Sequence, residues 1–183
     1  MSVSVRDARI SESDRLWIEG VYRDYLDDLA PLNTGLFPVL GEVGHREPDQ
    51  TARWFGDPNA FPFVILHSSQ PVGFAMVSRV GRKPGTQTID YRMAEFFIGR
   101  PHRRLGIGRS AVHLILSRFA GRWEIIEYQR NAGAVSFWRR VVAAYTQGKF
   151  NERVSNGEVR QVFDAVPARA SSESGKTGPS RER

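Results

Sequence analysis

Cysteine is absent from this chain of 183 residues, which excludes disulfides, thiolate metal sites and a covalent acyl-cysteine step. Any acyl chemistry must be direct or pass through an oxygen or nitrogen nucleophile. Long apolar runs are missing too. No stretch approaches the 18 or so residues a membrane span needs, and the opening MSVSVRDARISESD has no apolar core flanked by positive charge. The chain is therefore expected to be cytoplasmic, with no membrane partner. Histidine is scarce: His45, His67, His102 and His113 are scattered without ligand spacing, so no metal is expected. A long basic stripe with interleaved aromatics is lacking. The formal charge of +6 includes four basic and two acidic residues in segment 167–183, leaving a modest +4 on the rest. That balance points away from a nucleic-acid partner. Segment 167–183 is nearly empty of large apolar residues and is expected to be disordered, which leaves 1–166 as one domain with a real core.

What is present reads as alternating strands and helices. A strand over 3–8 leads to a helix over 13–29, capped by Ser11 or Ser13, with Leu16, Val21, Tyr22, Tyr25, Leu26 and Leu29 on its apolar face. Segment 31–48 is rich in proline and glycine and reads as irregular; a short helix opened by Pro48 follows. Strands over 61–67 and 72–80 flank the polar turn 68–71, and 88–98 is a third strand, most apolar towards its end. A helix over 107–119, a strand over 123–128 and a helix over 132–145 come next. The chain then closes with a hairpin, 150–154 and 158–166, across Ser155-Asn156-Gly157.

Between the third strand and its helix lies RPHRRLGIGR, residues 100–109, with two glycines and four arginines. Gly106 and Gly108 permit backbone angles that aim successive N–H groups at one anion. The helix beyond adds unpartnered amides and the positive end of its macrodipole, so a phosphate is favoured there. Arg103, Arg104 and Arg109 add full charge. A nucleic-acid module built on these arginines and Arg100 would need the loop exposed, whereas the apolar residues around Gly-x-Gly bury part of it.

The run Arg103-Arg104-Leu105-Gly106-Ile107-Gly108 fits R/Q-x-x-G-x-G/A, and Asn131-x-x-Ala134-x-x-Phe137-Trp138 is similar to N-x-x-A-x-x-F-Y. In these two elements and in the order of strands and helices over 3–166, the chain resembles the GNAT superfamily of acetyl-CoA-dependent N-acetyltransferases. The AEFF strand and FWRR helix are similar to a group of bacterial predicted acetyltransferases. The resemblance implies an α/β (α+β) fold: a mixed, mostly antiparallel sheet of about seven strands flanked by helices, with a splayed strand pair binding the cofactor. It implies main-chain groups of Phe97 and Ile98 for pantetheine and the thioester oxygen. The amides of Arg104, Leu105, Gly106, Ile107, Gly108 and Arg109 would take the pyrophosphate, with Asn131, Phe137 and Trp138 beside the cofactor arm. Asn131 is equally suited to cap its helix. A homodimer is an option the family leaves open.

An alkylammonium with pKa near 10.4 is a nucleophile in only about one molecule in a few thousand at pH 7, so some group must take its proton. Glu95 interrupts the apolar strand end Met93, Phe96, Phe97, Ile98 and is the candidate base, since burial raises a carboxyl pKa. The alternative is a structural carboxylate paired with Arg92 or Arg100. The family's acid tyrosine falls at Trp138, whose indole is no useful acid. Tyr145 is a substitute if it is not core, and solvent can serve equally, since thiols have pKa near 8.5. That substitution also admits a module that binds acyl-CoA without turnover. Tyr22, Tyr25, Asp27 and Asp28 form an aromatic and acidic patch suited to a cationic amine or simply to a solvated helix end, and Met76 and Ser78 lie on a strand that could floor the acceptor pocket. A polyamine, an aminoglycoside-like antibiotic, an amino acid derivative and a protein amine all fit what the residues show.

Overall fold

A computed structural model describes residues 2–32, 50–81, 85 and 88–166. The elements run β1 (Val3–Asp7), α1 (Glu12–Leu29), α2 (Gln50–Gly56), β2 (Ala60–His67), β3 (Gln70–Arg79), β4 (Tyr91–Ile98), α3 (Ile107–Leu116), β5 (Gly121–Tyr128), α4 (Ala132–Thr146), β6 (Asn151–Ser155) and β7 (Glu158–Ala165). One seven-stranded sheet forms in the order β1-β2-β3-β4-β5-β7-β6. Only β4 and β5 run parallel; the other neighbours are antiparallel. This is the mixed α/β architecture the sequence implies. The start of the short helix at Pro48, most of the irregular segment and the tail 167–183 lie outside the described residues.

Two tight turns fix the register of the hairpins. Ser68 and Ser69 have φ of 49° and 68°, and Asn156 and Gly157 have 52° and 80°. Two successive left-handed residues twist the chain in the same sense as the strands they join. The first turn is shorter than expected, because Gln70 pairs with His67 and already belongs to β3.

Each face of the sheet has its own core. Met93, Trp123, Ile125 and Phe163 pack under α3 and α4, against Ile115 and Val142 among others. On the opposite face, Val64, Phe74 and Met76 pack under α1, against Ile18, Tyr22 and Tyr25. Burying each such side chain stabilises the fold by about 1.5–3 kcal/mol. The buried stripe of α1 is Asp14, Ile18, Tyr22 and Tyr25, spaced by four, four and three as a helical face requires. Leu16, expected on that stripe, is 59% exposed, because it stands two residues from Ile18 and so roughly 200° around the helix. Asp14 takes its place at the helix start, accepting from Arg6 Nε and Nη2 at 2.6 and 2.7 Å. Neither serine caps α1 through its side chain; Ser11 sits at the cap position and its hydroxyl lies 2.7 Å from that of Ser13. No helix among the described residues is long and apolar enough to cross a membrane.

One buried carboxyl works against this packing. Glu127 on β5 is 7% exposed, and neither of its oxygens has a partner among the described residues. Its neighbour Glu152 accepts instead from Arg139 at 2.6 Å and from Gln161 at 2.9 Å. Desolvation, reinforced by the charge of Glu152, pushes the Glu127 pKa from 4.5 up to about 8. The folded protein therefore binds a proton that the unfolded chain releases between these two pH values, and stability falls as pH rises through that window. Glu127→Gln mimics the neutral carboxyl. In urea denaturation it is expected to match the parent near pH 5 and to exceed it by about 2 kcal/mol or more at pH 9.

Candidate active site

The site begins with one extra residue. Met76 on β3 lies opposite Glu95 on β4, and its neighbour Val77 lies opposite Met93, so Ala94 is a bulge. A bulge breaks the in–out alternation of a strand. Met93 faces the core under α3 and α4, while Glu95 and Phe97 turn towards α1. The same point ends the contact with β5. The parallel ladder contains Tyr91–Trp123, Arg92–Glu124 and Met93–Ile125 and goes no further. From Glu95 to Ile98 the strand pairs with β3 on one side only, and the main-chain groups on its other side face a slot between β4 and β5. At Gly73, opposite Ile98, an added Cβ would lie 2.3 Å from the Phe97 carbonyl oxygen, so close approach of β3 holds the outer half of β4.

At the end of that slot the chain turns into α3. Arg104 and Gly106 both take left-handed angles, φ 66° and 80°, and Gly106 is the N-cap of α3. The first bond reaching back to the cap runs from Ser110 N to Gly106 O at 3.1 Å, so the amides of Ile107, Gly108 and Arg109 have no partner inside the helix. Space around Gly106 is open, with nothing within 4 Å of where a Cβ would sit. An anion fits there, and a side chain would fill the space instead. Gly108 is needed for a different reason: its Cβ would meet the Phe137 ring at 3.2 Å and Ile98 at 3.6 Å. Ile107 anchors the cradle in the core at 2% exposure, whereas Leu105 is 63% exposed. Arg104 and Arg109 are exposed and form no ion pair among the described residues.

Arg103 and Arg100 are held differently. Arg103 donates from Nε to the Ile98 carbonyl at 2.7 Å and from Nη2 to Asp28 Oδ2. Arg100 donates to the other oxygen, Oδ1, at 2.9 and 2.7 Å. Burial alone would raise the Asp28 pKa, but these bonds outweigh it and hold the carboxyl below its ordinary range. Asp28, expected to hold the acceptor amine, is thus committed to the arginines of the cradle.

Glu95 is 6% exposed and accepts from the hydroxyl of Tyr25. Phe97 and Phe74 both lie against Tyr25, with ring centroids 5.8 and 5.5 Å away. Removal from water pushes the Glu95 pKa well above the ordinary carboxylate range. The arginine partners considered for it are engaged elsewhere: Arg92 with Glu124 and Arg100 with Asp28. Tyr22 and Met76, expected to line an acceptor pocket, are 4% and 1% exposed and belong to the core under α1.

On the other side of the slot, Asn131 caps α4, accepting from Ala134 N at 3.1 Å. Phe137 stacks on Phe96 at 5.7 Å, and Trp138 meets the same ring edge-on at 5.3 Å. Trp138 is buried in the core. Tyr145 is the clear departure from expectation. It lies at the far end of α4, and its hydroxyl donates to the Val166 carbonyl at 3.1 Å. Val166 follows Ala165, which pairs with Gly121 at the start of β5. That is the end of the sheet opposite the cradle, since the cradle follows the last residue of the parallel neighbour β4, so Tyr145 does not reach the slot.

The sequence reading missed a cluster on β4, β5 and β7. Arg92 and Arg160 converge on Glu124, each with Nε at 2.7 Å. The available signal was a glutamate and an arginine set in apolar strands at positions that alternate with core residues. Among the described residues, no group of three acidic or histidine side chains could hold a metal ion.

Residues 18–142 match the model of the acetyltransferase (GNAT) family. No curated protein matches the chain. Solved structures with this fold include an N-acetyltransferase from Staphylococcus aureus Mu50, 14% identical, with a TM-score of 0.62 over 91% of this chain and 100% of that one. The PaiA N-acetyltransferase of Thermoplasma acidophilum, solved with coenzyme A, is 10% identical with a TM-score of 0.60 over 90% and 99%. YncA of Salmonella typhimurium, solved with its cofactor acetyl-CoA, is 13% identical with a TM-score of 0.58 over 93% and 98%. At these identities the likeness carries the fold alone. The family match covers most of the chain and spans the slot, the cradle and the Asn131 cap, so the chain belongs to the GNAT acetyltransferase family.

Proposed function

We propose that this chain is an N-acetyltransferase that moves acetyl from acetyl-CoA directly to a primary amine held in the same complex. The observation that carries the reading is the bulge at Ala94, which opens one edge of β4 towards the cradle and turns Glu95 to the opposite face. Donor and acceptor can then meet from two sides of one strand.

The residues divide the work simply. Amides of residues 104–109 and the guanidinium groups of Arg104 and Arg109 hold the pyrophosphate, and the free edge of β4 pairs with the pantetheine arm. Main-chain donors near Phe97 and Ile98, fixed in place, stabilise the oxyanion that forms on the thioester carbonyl. Glu95, directly or through a water, takes the ammonium proton so that nitrogen can attack the carbonyl carbon as the carbon–sulfur bond breaks. A raised pKa suits this task, bringing the carboxylate closer in basicity to the amine it serves. Trp138 cannot return a proton to sulfur. Solvent supplies that proton to the leaving thiolate, whose thiol has a pKa near 8.5, and takes up the second proton that nitrogen loses as the amide forms. A second reading, an acyl-CoA-binding module without turnover, is favoured by Trp138 alone; consumption of acetyl-CoA over a panel of amines separates the two.

Acetyl-CoA at 100 times its dissociation constant is expected to stabilise the protein by about 2.7 kcal/mol, seen as a raised Tm. Gly106→Glu, which aims a carboxylate into the open cradle, should fold and lose that shift; an undiminished shift would put the phosphates elsewhere. Glu95→Gln is expected to lower kcat by about a hundredfold. Because the base must be ionised, the parent's rate should rise with pH through the elevated pKa of Glu95, and the variant should lose that limb. Tyr145→Phe, remote from the slot, should leave kcat within about twofold of the parent, as for a surface change.

A further inference from the structure

The face of the sheet that carries Glu95 continues past β4 onto β5 and β7. There the apolar core of α1 and α2 ends: its strand residues come from β2, β3 and β4 only. On the exposed continuation, Glu124 stands between Arg92 and Arg160. The carboxylate is 2% exposed, while the two arginine side chains are 38% and 43% exposed. Arg92 donates through Nε and Nη2 to one oxygen, and Arg160 through Nε and Nη2 to the other. A guanidinium has five N–H donors, so each retains several that point away from Glu124.

Charge does not balance in this bracket. Two guanidinium groups share one carboxylate. Arg153, directly across from Arg160 on β6, is exposed and forms no ion pair among the described residues. Like charges directly opposite on neighbouring strands are destabilising, and an ion pair of this kind adds little stability by itself. An oxyanion would relieve that repulsion. Rigid, half-exposed guanidinium forks are well matched to carboxylate or phosphate.

The position is as telling as the charge. Arg92 pairs with Glu124 one rung before the β4–β5 ladder ends. The bulge at Ala94 puts Arg92 and Glu95 on the same face, three residues apart, about 10 Å along the strand. We infer that the Arg92–Glu124–Arg160 bracket selects the acceptor, which is an amine carrying a carboxylate or phosphate within about 10 Å of its nitrogen. This rests on the acetyltransferase reading above and narrows it. Polyamines and aminoglycosides, which bring only positive charge, are repelled by the same face.

The test uses the full chain and matched acceptors: 4-aminobutyrate and 6-aminohexanoate against butylamine and hexylamine, O-phosphoethanolamine against ethylamine, and spermidine. Release of CoA thiol gives kcat and KM, and thermal shift in the presence of CoA gives binding where turnover is slow. The anionic member of a pair is expected to show a KM lower, or a binding constant tighter, by about tenfold. The two acid series report whether carboxylate or phosphate is preferred. Arg160→Met leaves Glu124 paired with Arg92 and should erase the difference, while Arg160→Lys should restore only part of it. Equal behaviour of matched pairs, a preference for spermidine, or no response to any acid overturns the proposal. Stabilisation by acetyl-CoA is measured alongside. If it is present when the acids fail, only the acceptor assignment falls; if it is absent, the acetyltransferase reading falls with it.

Discussion

One residue too many in β4 governs this molecule. With Ala94 accommodated as a bulge, the strand cannot keep both its alternation and its pairing with β5. Three consequences follow together: the two parallel strands part, the outer edge of β4 gains main-chain groups with no strand beside them, and a glutamate that would otherwise face α3 is turned towards α1. A regular strand would have placed Met93, Glu95 and Phe97 on one side and put a carboxyl into the apolar core beneath α4. The bulge resolves that conflict and creates the slot in the same stroke.

The cradle depends on the slot, because its place is set by where β4 ends. It is then held from three directions: Ile107 in the core, Phe137 against Gly108, and Asp28 gripping Arg100 and Arg103. The four arginines of the loop therefore divide into two kinds. Arg100 and Arg103 are tied down and shape the loop, while Arg104 and Arg109 stay in solvent, where a phosphate can meet them.

Much of this was legible in the sequence, and the reason is locality. The Arg103–Gly108 run, the Asn131 cap and the Asn156-Gly157 turn are each decided by residues within one or two turns of chain, so their chemistry can be read in place. Element order and fold class follow from periodicity, which is equally local. What escaped depends on meetings between distant segments. Nothing near Ala94 announces a bulge, since it is defined by the register against β3. Asp28 reads as part of an amine-binding patch or as a solvated helix end until α1 is brought to a loop more than 70 residues away. Arg92 and Glu124 look like isolated charges until β4 and β5 lie side by side. Tyr145 was misjudged because helical spacing shows which face a residue occupies and says nothing of which end of the sheet that part of the helix reaches.

The grip of Asp28 on the loop has a mechanical side. Asp28 lies in the last turn of α1, one turn beyond Tyr25, whose hydroxyl touches Glu95. The same helix thus ends on the cradle loop and leans on the buried carboxyl of β4. Asp28 fixes the loop through Arg100 and Arg103, and Tyr25 meets the buried carboxyl of Glu95. One helix end is therefore the shared abutment of two contacts that each join segments 70 or more residues apart.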